Sequence, residues 1–92
     1  MYNITSYTKE QARALDVVVK PSSVKGKKID VFNKKGEKLA SVGALGYDDY
    51  PTFIKKKGKE YADDRRKLYK IRHEKDRHKR GTAGYYADKL LW

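Results

Sequence analysis

The chain has 92 residues, a net charge of +11 from 23 Lys and Arg against 12 Asp and Glu, and no cysteine. A chain of this size buries roughly 60–65% of its unfolded surface, which leaves room for one small core and little for a deep catalytic cleft. The lack of cysteine excludes disulfides, a thiol nucleophile and a cysteine zinc site, and the positive charge favours nucleic acid, anionic lipid or an acidic protein surface as partner.

The first part of the chain predicts a short helix followed by an extended segment. Thr8 can open a helix that runs through Leu15, and the β-branched run Val17–Val19 favours extended backbone. That run is the longest aliphatic stretch, so the sequence predicts no membrane span. We separate an N-terminal segment, residues 1–26, from a basic α+β domain with an apolar aromatic C-terminal arm, residues 27–92.

A β-hairpin is predicted next. Residues 28–32 alternate polar and apolar side chains, which is the period of a half-buried strand, and residues 39–45 form the return strand. Gly36 lies in the turn between them, where a positive φ is needed. Ile29 and Val31 are expected on one face of the first strand and Phe32 on the other.

Two helices and a variable end follow the hairpin. Asp49 is a helix cap, and the helix that it opens ends at Gly58. Residues 59 to about 77 lack Pro and Gly and predict the longest helix, with Tyr61, Leu68 and Ile71 near one face and Tyr69 at its border. Residues 85–92 form either a short helix or an extended arm. The fold class is therefore α+β: a small single domain with a hairpin, and Val17–Val19 as a candidate third strand, packed on two or three helices, the longest strongly basic.

The positive charge is concentrated in the middle of the chain. Residues 25–80 hold 19 basic and 9 acidic side chains, and the densest block runs from Arg65 to Arg80. Arginine and lysine in this density suit phosphate contacts, and the alternative is a solvated helix face with partly paired charges. The candidate residues for binding nucleic acid or another anionic surface are Arg65, Arg66, Lys67, Lys70, Arg72, Lys75, Arg77, Lys79 and Arg80.

The other clusters of charged or polar residues give weaker indications of a functional site. The second basic cluster, Lys55–Lys59, is interpreted as a surface loop, and His73 and His78 are five residues apart, whereas a helical metal pair needs three or four. Asp48–Asp49 and Asp63–Asp64 are more typical of helix starts and helix faces than of a nuclease site. We predict no enzyme, no catalytic residue, no metal and no cofactor.

The last eight residues are unusually apolar for a terminus. Tyr and Trp are preferred anchors of protein interfaces, so this segment either docks in the core of its own chain or inserts into a neighbour. The candidate interface residues are Tyr85, Tyr86, Leu90, Leu91 and Trp92.

Three stretches of residues 27–92 resemble a family of short basic proteins from large nucleocytoplasmic DNA viruses, of the chlorella-virus and giant-virus kind. They are the run from Val42 to Pro51, the Arg-Arg-x-x-Tyr-x-x-Arg-His pattern at 65–73, and the closing Gly-Tyr-Tyr-Ala-x-x-Leu-Leu-Trp at 84–92. The family has no defined enzymatic role, so no catalytic residue is carried over. The resemblance implies a virion location, in the capsid or particle interior, with the host cytoplasm or nucleus as the site of assembly.

Two functions are consistent with these features. The first is a minor capsid or cement-type structural protein that joins other virion proteins and anionic surfaces. The second is a non-sequence-specific nucleic-acid-binding or DNA-packaging protein that contacts DNA or RNA through phosphates, since no base-reading motif is present. Oligomeric state does not follow from the sequence.

Overall fold

A computed structural model describes residues 2–92 and confirms the predicted α+β class. The chain forms four helices and three strands, in the order α1 (Ser6–Ala14), β1 (Val18–Pro21), β2 (Lys27–Phe32), β3 (Lys38–Ala44), α2 (Tyr50–Lys57), α3 (Lys59–Arg72) and α4 (Ala83–Leu91). The candidate third strand is therefore present as β1, and the C-terminal segment is helical rather than extended.

The three strands form an antiparallel sheet in the order β1-β2-β3. The predicted hairpin is confirmed, with Ile29 opposite Val42 and Gly36 at φ 88° in the turn. Ile29 and Val31 share one face and are fully buried, whereas Phe32 lies on the other face and is half-buried. This alternation fixes the register, because a slip by one residue would turn both aliphatic side chains out of the core.

The core lies between one face of the sheet and helices α1 and α4. Its buried side chains are those of Ala12, Val17, Ile29, Val31, Val42, Tyr86, Leu90 and Leu91. The cap of α1 is Thr5, not Thr8: the Thr5 side chain accepts from the Thr8 amide. Thr8 is buried instead, and its hydroxyl donates to the Leu90 carbonyl over 2.8 Å. Residues 2–26 thus share the core of the rest of the chain.

Helices α2 and α3 form a helical hairpin, and Gly58 separates the two helices. Asp49 caps α2, as predicted, by accepting from the Thr52 amide, and Gly58 at φ 91° ends it. The prediction that the long helix continues to about Arg77 is wrong, since α3 ends at Arg72. Residues 73–80 contain no apolar side chain, so a longer helix would have no face to bury, and the amides of Asp76 and Arg77 both donate to the His73 carbonyl in a turn.

The apolar face of α3 is turned largely outward. Tyr61, Leu68 and Ile71 are 43, 48 and 67% exposed, whereas Ala62 is fully buried. The inward side is completed by half-buried polar or aromatic residues, Arg66, Tyr69 and Lys70 among them. Helix α3 is therefore held through Ala62, through aromatic packing and through polar contacts, and the stripe at Leu68 and Ile71 contributes little buried surface.

Gly43 permits the close approach of β3 to α4. It has φ 82°, and a Cβ built on it would lie 2.7 Å from Leu91 Cδ1 and 3.0 Å from Lys28 Cδ. Glycine within a strand often marks such an approach of another element. Helix α4 can thus dock here because glycine has no side chain at this position.

We expect Gly43→Ala to destabilise the protein by about 2–4 kcal/mol, because it adds overpacking to the cost of a positive φ. The matched control is Gly36→Ala, at nearly the same φ but with nothing within 4 Å of the added Cβ. The control should cost only about 1 kcal/mol. Urea unfolding of both variants measures the difference, and equal losses would contradict the close approach of Leu91.

Candidate nucleic-acid interface

The buried side of α3 is tied to α4 through Asp88. This carboxylate is buried and accepts from Lys70 Nζ over 2.5 Å, while Arg77 Nη1 lies 3.9 Å from its other oxygen. Arg77 also pairs with Glu74 at 2.9 Å. Burial lowers the pKa of Lys70, although the Asp88 carboxylate opposes that effect. Lys70 and Arg77 thus lie within 4 Å of a buried carboxylate, unlike the rest of the predicted basic set.

The remaining seven predicted cations have no carboxylate within 4 Å among residues 2–92. We call them the basic surface: Arg65, Arg66, Lys67, Arg72, Lys75, Lys79 and Arg80. Arg66 lies over the Tyr50 ring at 4.5 Å and Arg65 over the Phe53 ring at 5.7 Å. These two guanidinium groups keep their charge while resting on aromatic faces.

The predicted protein-interface residues divide into two groups. Tyr86, Leu90 and Leu91 are buried in the chain's own core, so the own-core alternative applies to them and they present no surface to a neighbour. Tyr85 and Trp92 are half-buried. The Trp92 ring stacks on Tyr69 with centroids 4.4 Å apart and planes 8° from parallel.

A groove of about 350 Å³ opens between α3, the end of α4 and the loop that follows β3. Its aromatic wall comprises Tyr47, Phe53, Tyr69 and Trp92, with Leu68 and Leu91 beside them. Tyr47 is 76% exposed. Burial and the nearby carboxylates raise the pKa of Tyr69 to about 12, so its phenol stays protonated. No local sequence pattern marks Tyr47 or Phe53 as a site residue.

The charges around this groove are unevenly paired. Lys28 pairs with Asp49 at 3.0 Å and Asp48 with Lys56 at 3.3 Å. Arg65 and Arg72, which also line the groove, belong to the basic surface. They are seven residues apart on α3 and therefore lie on the same side of the helix. The groove thus combines an aromatic wall with two free guanidinium groups.

Asp49 fixes one end of the groove. It is buried and accepts from Tyr2 Oη at 2.7 Å, from Lys28 Nζ at 3.0 Å and from Thr52 Oγ1 at 2.6 Å. Burial raises the pKa of Asp49, but the hydrogen bonds from Thr52 and Tyr2 and the Lys28 charge outweigh it, so the pKa is lowered overall. The carboxylate therefore stays ionised and joins the N-terminal segment, β2 and α2.

Residues 2–92 contain no cluster of three or more His, Asp or Glu side chains able to hold a metal ion. His78 contacts Glu74 at 2.7 Å, and the His73 ring stacks on Tyr69 at 4.3 Å. No helix in the same range is long and apolar enough to cross a bilayer.

No family model matches this sequence, and neither a curated protein nor a solved structure matches it.

Asp49→Asn should lower the free energy of unfolding by about 3–5 kcal/mol at pH 7, because it leaves the Lys28 ammonium buried without a counter-charge. The pKa of Asp49 is depressed in the fold, so its contribution is complete above the ordinary pKa of about 3.9 and is lost as pH falls below it. The deficit of the variant should therefore shrink in acid. Urea unfolding at pH 7 and pH 3 measures both effects.

Lys28→Met combined with Asp49→Asn is the matched control. Removing both charges leaves no unpaired ammonium, so the double variant should be more stable than Asp49→Asn alone. A double variant less stable than the single one would show that the ion pair is not the source of the loss.

Proposed function

We propose that this protein binds nucleic-acid backbone, with little sequence preference, through the basic surface. The observation that carries the proposal is how charge is divided around α3. Lys70 of α3 and Arg77 of the following turn pair with the buried Asp88. The basic surface keeps seven cations without a carboxylate partner among residues 2–92, of which Arg66 is half-buried over Tyr50. Such cations exchange condensed counterions for phosphate contacts, which supplies affinity for any sequence.

The position of the cations supports phosphate contact rather than a role in folding. Lys67, Lys75, Lys79 and Arg80 are exposed, and the segment after α3 that carries three of them is held by local turns. Arginine groups also form bidentate hydrogen bonds with phosphate oxygens. Isolated surface ion pairs contribute little stability, so leaving these cations unpaired costs the fold little.

Binding to a fluorescent DNA duplex should weaken steeply with salt. If about five phosphates are neutralised, the slope of log K against log salt is about −4 to −5. Lys75→Ala combined with Lys79→Ala should make that slope about 2 units shallower, because two phosphate contacts are lost. Fluorescence anisotropy titrations at salt concentrations from about 50 to 200 mM measure this slope.

The matched control is Lys25→Ala combined with Lys35→Ala, which removes two exposed lysines from loops around β2. It makes the same change in net charge but should leave the slope nearly unchanged. Equal effects of the two double variants would mean that total charge, not the basic surface, sets the affinity. Absence of salt-dependent binding near 50 mM, where phosphate contacts are strong, would overturn the proposal.

A second candidate is a structural protein of a large double-stranded DNA virus particle. It rests on the sequence resemblance and on one observation, the outward stripe of Tyr61, Leu68 and Ile71. Exposed apolar side chains that lie together often mark protein contacts. Mass spectrometry of purified particles of a virus that encodes the chain should then detect it in stoichiometric amounts, and its absence from intact particles would remove this candidate.

A further inference from the structure

We infer that the groove receives an unpaired base of a single-stranded nucleic acid, while Arg65 and Arg72 hold the adjoining phosphates. This inference rests on the proposed function and adds the class of nucleic acid that the protein prefers. It makes the groove, rather than the basic surface alone, the source of that preference.

The size and wall of the groove suit one base. Its volume of about 350 Å³ lies at the lower end of the roughly 300–1,000 Å³ found for ligand sites. Four of its lining residues are aromatic. The Tyr69 ring already stacks on both Trp92 and His73, so a base has to stack on another ring of the wall, and such stacking tolerates any base. Tyr47 has no aromatic partner among residues 2–92 and is 76% exposed, so its ring is free to stack.

The other rings of the aromatic wall are already ordered by contacts within the chain. Trp92 is fixed between Tyr69, on which it stacks, and Phe53, whose ring centroid is 6.0 Å away. Leu91, immediately before it, is buried in the core. A ring held in this way does not have to be ordered when the ligand binds, which favours affinity.

The charges select an anionic ligand. The lysine and the two aspartates that line the groove are neutralised within the fold, since Lys28 pairs with Asp49 and Asp48 with Lys56. Arg65 and Arg72 have no carboxylate within 4 Å among residues 2–92, and both line the groove beside the aromatic wall. An aromatic group attached to phosphates supplies both the ring and the anion that this arrangement can bind. An apolar peptide lacks the anion, and a purely acidic peptide lacks the stacking ring.

A duplex cannot use the groove. Its bases are already stacked and paired, and extracting one costs a few kcal/mol, which a single strand does not have to supply. A duplex nevertheless has the higher charge density, so a purely electrostatic binder does not favour the single strand. Preference for a single strand therefore reports on the groove and not on the charge.

The experiment compares a 20-nucleotide oligothymidylate with a duplex of the same length at equal salt. Anisotropy gives the affinities, and the emission of Trp92, which is the sole tryptophan of the chain, reports on the groove. We expect the single strand to bind at least tenfold more tightly and to change Trp92 emission, and the duplex to bind without such a change. Equal affinities with unchanged Trp92 emission would overturn the inference.

Two pairs of variants separate the groove from the rest of the surface. Tyr47→Ala should weaken binding of the single strand by about 5- to 100-fold, the usual effect of losing one stacking ring, and leave duplex binding unchanged. Ile71→Ala, which removes an exposed side chain of α3 that does not line the groove, should change neither. Arg72→Ala should reduce the preference for the single strand, whereas Lys67→Ala should weaken both complexes by the same factor.

The outcomes distinguish this inference from the proposed function. If neither nucleic acid binds with a salt-dependent affinity, the proposed function fails. If both bind with the expected salt dependence but Tyr47→Ala has no effect on the single strand, the proposed function stands and the groove inference fails. A peptide that binds in the groove without displacing the nucleic acid would also contradict the inference.

Discussion

Three buried aspartates hold together a chain whose hydrophobic content, 38%, is below the usual 45–50% or so of globular domains. Asp30 accepts from Ser22 and Ser41 on the face of the sheet opposite the core. Asp49 joins the N-terminal segment, β2 and α2, and Asp88 joins α4 to α3. Asp49 and Asp88 connect elements that the aliphatic core leaves apart, whereas Asp30 reinforces the pairing of β2 with β3. Each buried carboxylate has a lysine within 4 Å, although Oδ2 of Asp88 accepts no hydrogen bond within residues 2–92. Burial of charge is tolerable only when it is compensated in this way.

This arrangement has a consequence for the outer surface. The carboxylates that are buried bind only a few of the cations, chiefly Lys28 and Lys70, while Arg77 is shared with Glu74. Most of the remaining basic side chains of α3 and of the turn after it have no carboxylate within 4 Å among residues 2–92, although Arg65 and Arg66 lie over aromatic rings. The same constraint that stabilises the fold therefore concentrates free positive charge beside the groove, where Trp92 and Tyr69 provide stacked rings.

Much of the fold follows from local sequence patterns, and the helix packing does not. Alternation predicts the hairpin, and Asp49 and Gly58 predict the bounds of α2. Periodicity fails for α3, because it weighs only apolar side chains and therefore marks the stripe at Leu68 and Ile71 as the face to bury. The structure buries a different side, where Lys70 meets Asp88 and Arg66 covers Tyr50. These partners are distant in sequence, so no local pattern contains them.

The candidate site, too, is only partly predictable from local sequence. The basic block at 65–80 is visible in the sequence because charge is additive and local. The groove is not, since it brings together Tyr47, Tyr69 and Trp92 from three separate elements. Trp92 was identifiable as an unusual terminal residue, but its stacking on Tyr69 depends on where α4 docks, and that docking depends in turn on Gly43.

The most direct test of the account is to map where nucleic acid touches the intact chain. An amide correlation spectrum of the isotopically labelled protein, titrated with a short single-stranded oligonucleotide, reports on every residue at once. Binding through the basic surface and the groove should give shifts concentrated between residues 65 and 80, at Tyr47 and at the Trp92 indole, with the hairpin lysines Lys34 and Lys35 unaffected. Shifts spread evenly over all exposed lysines, those of the hairpin included, would contradict it.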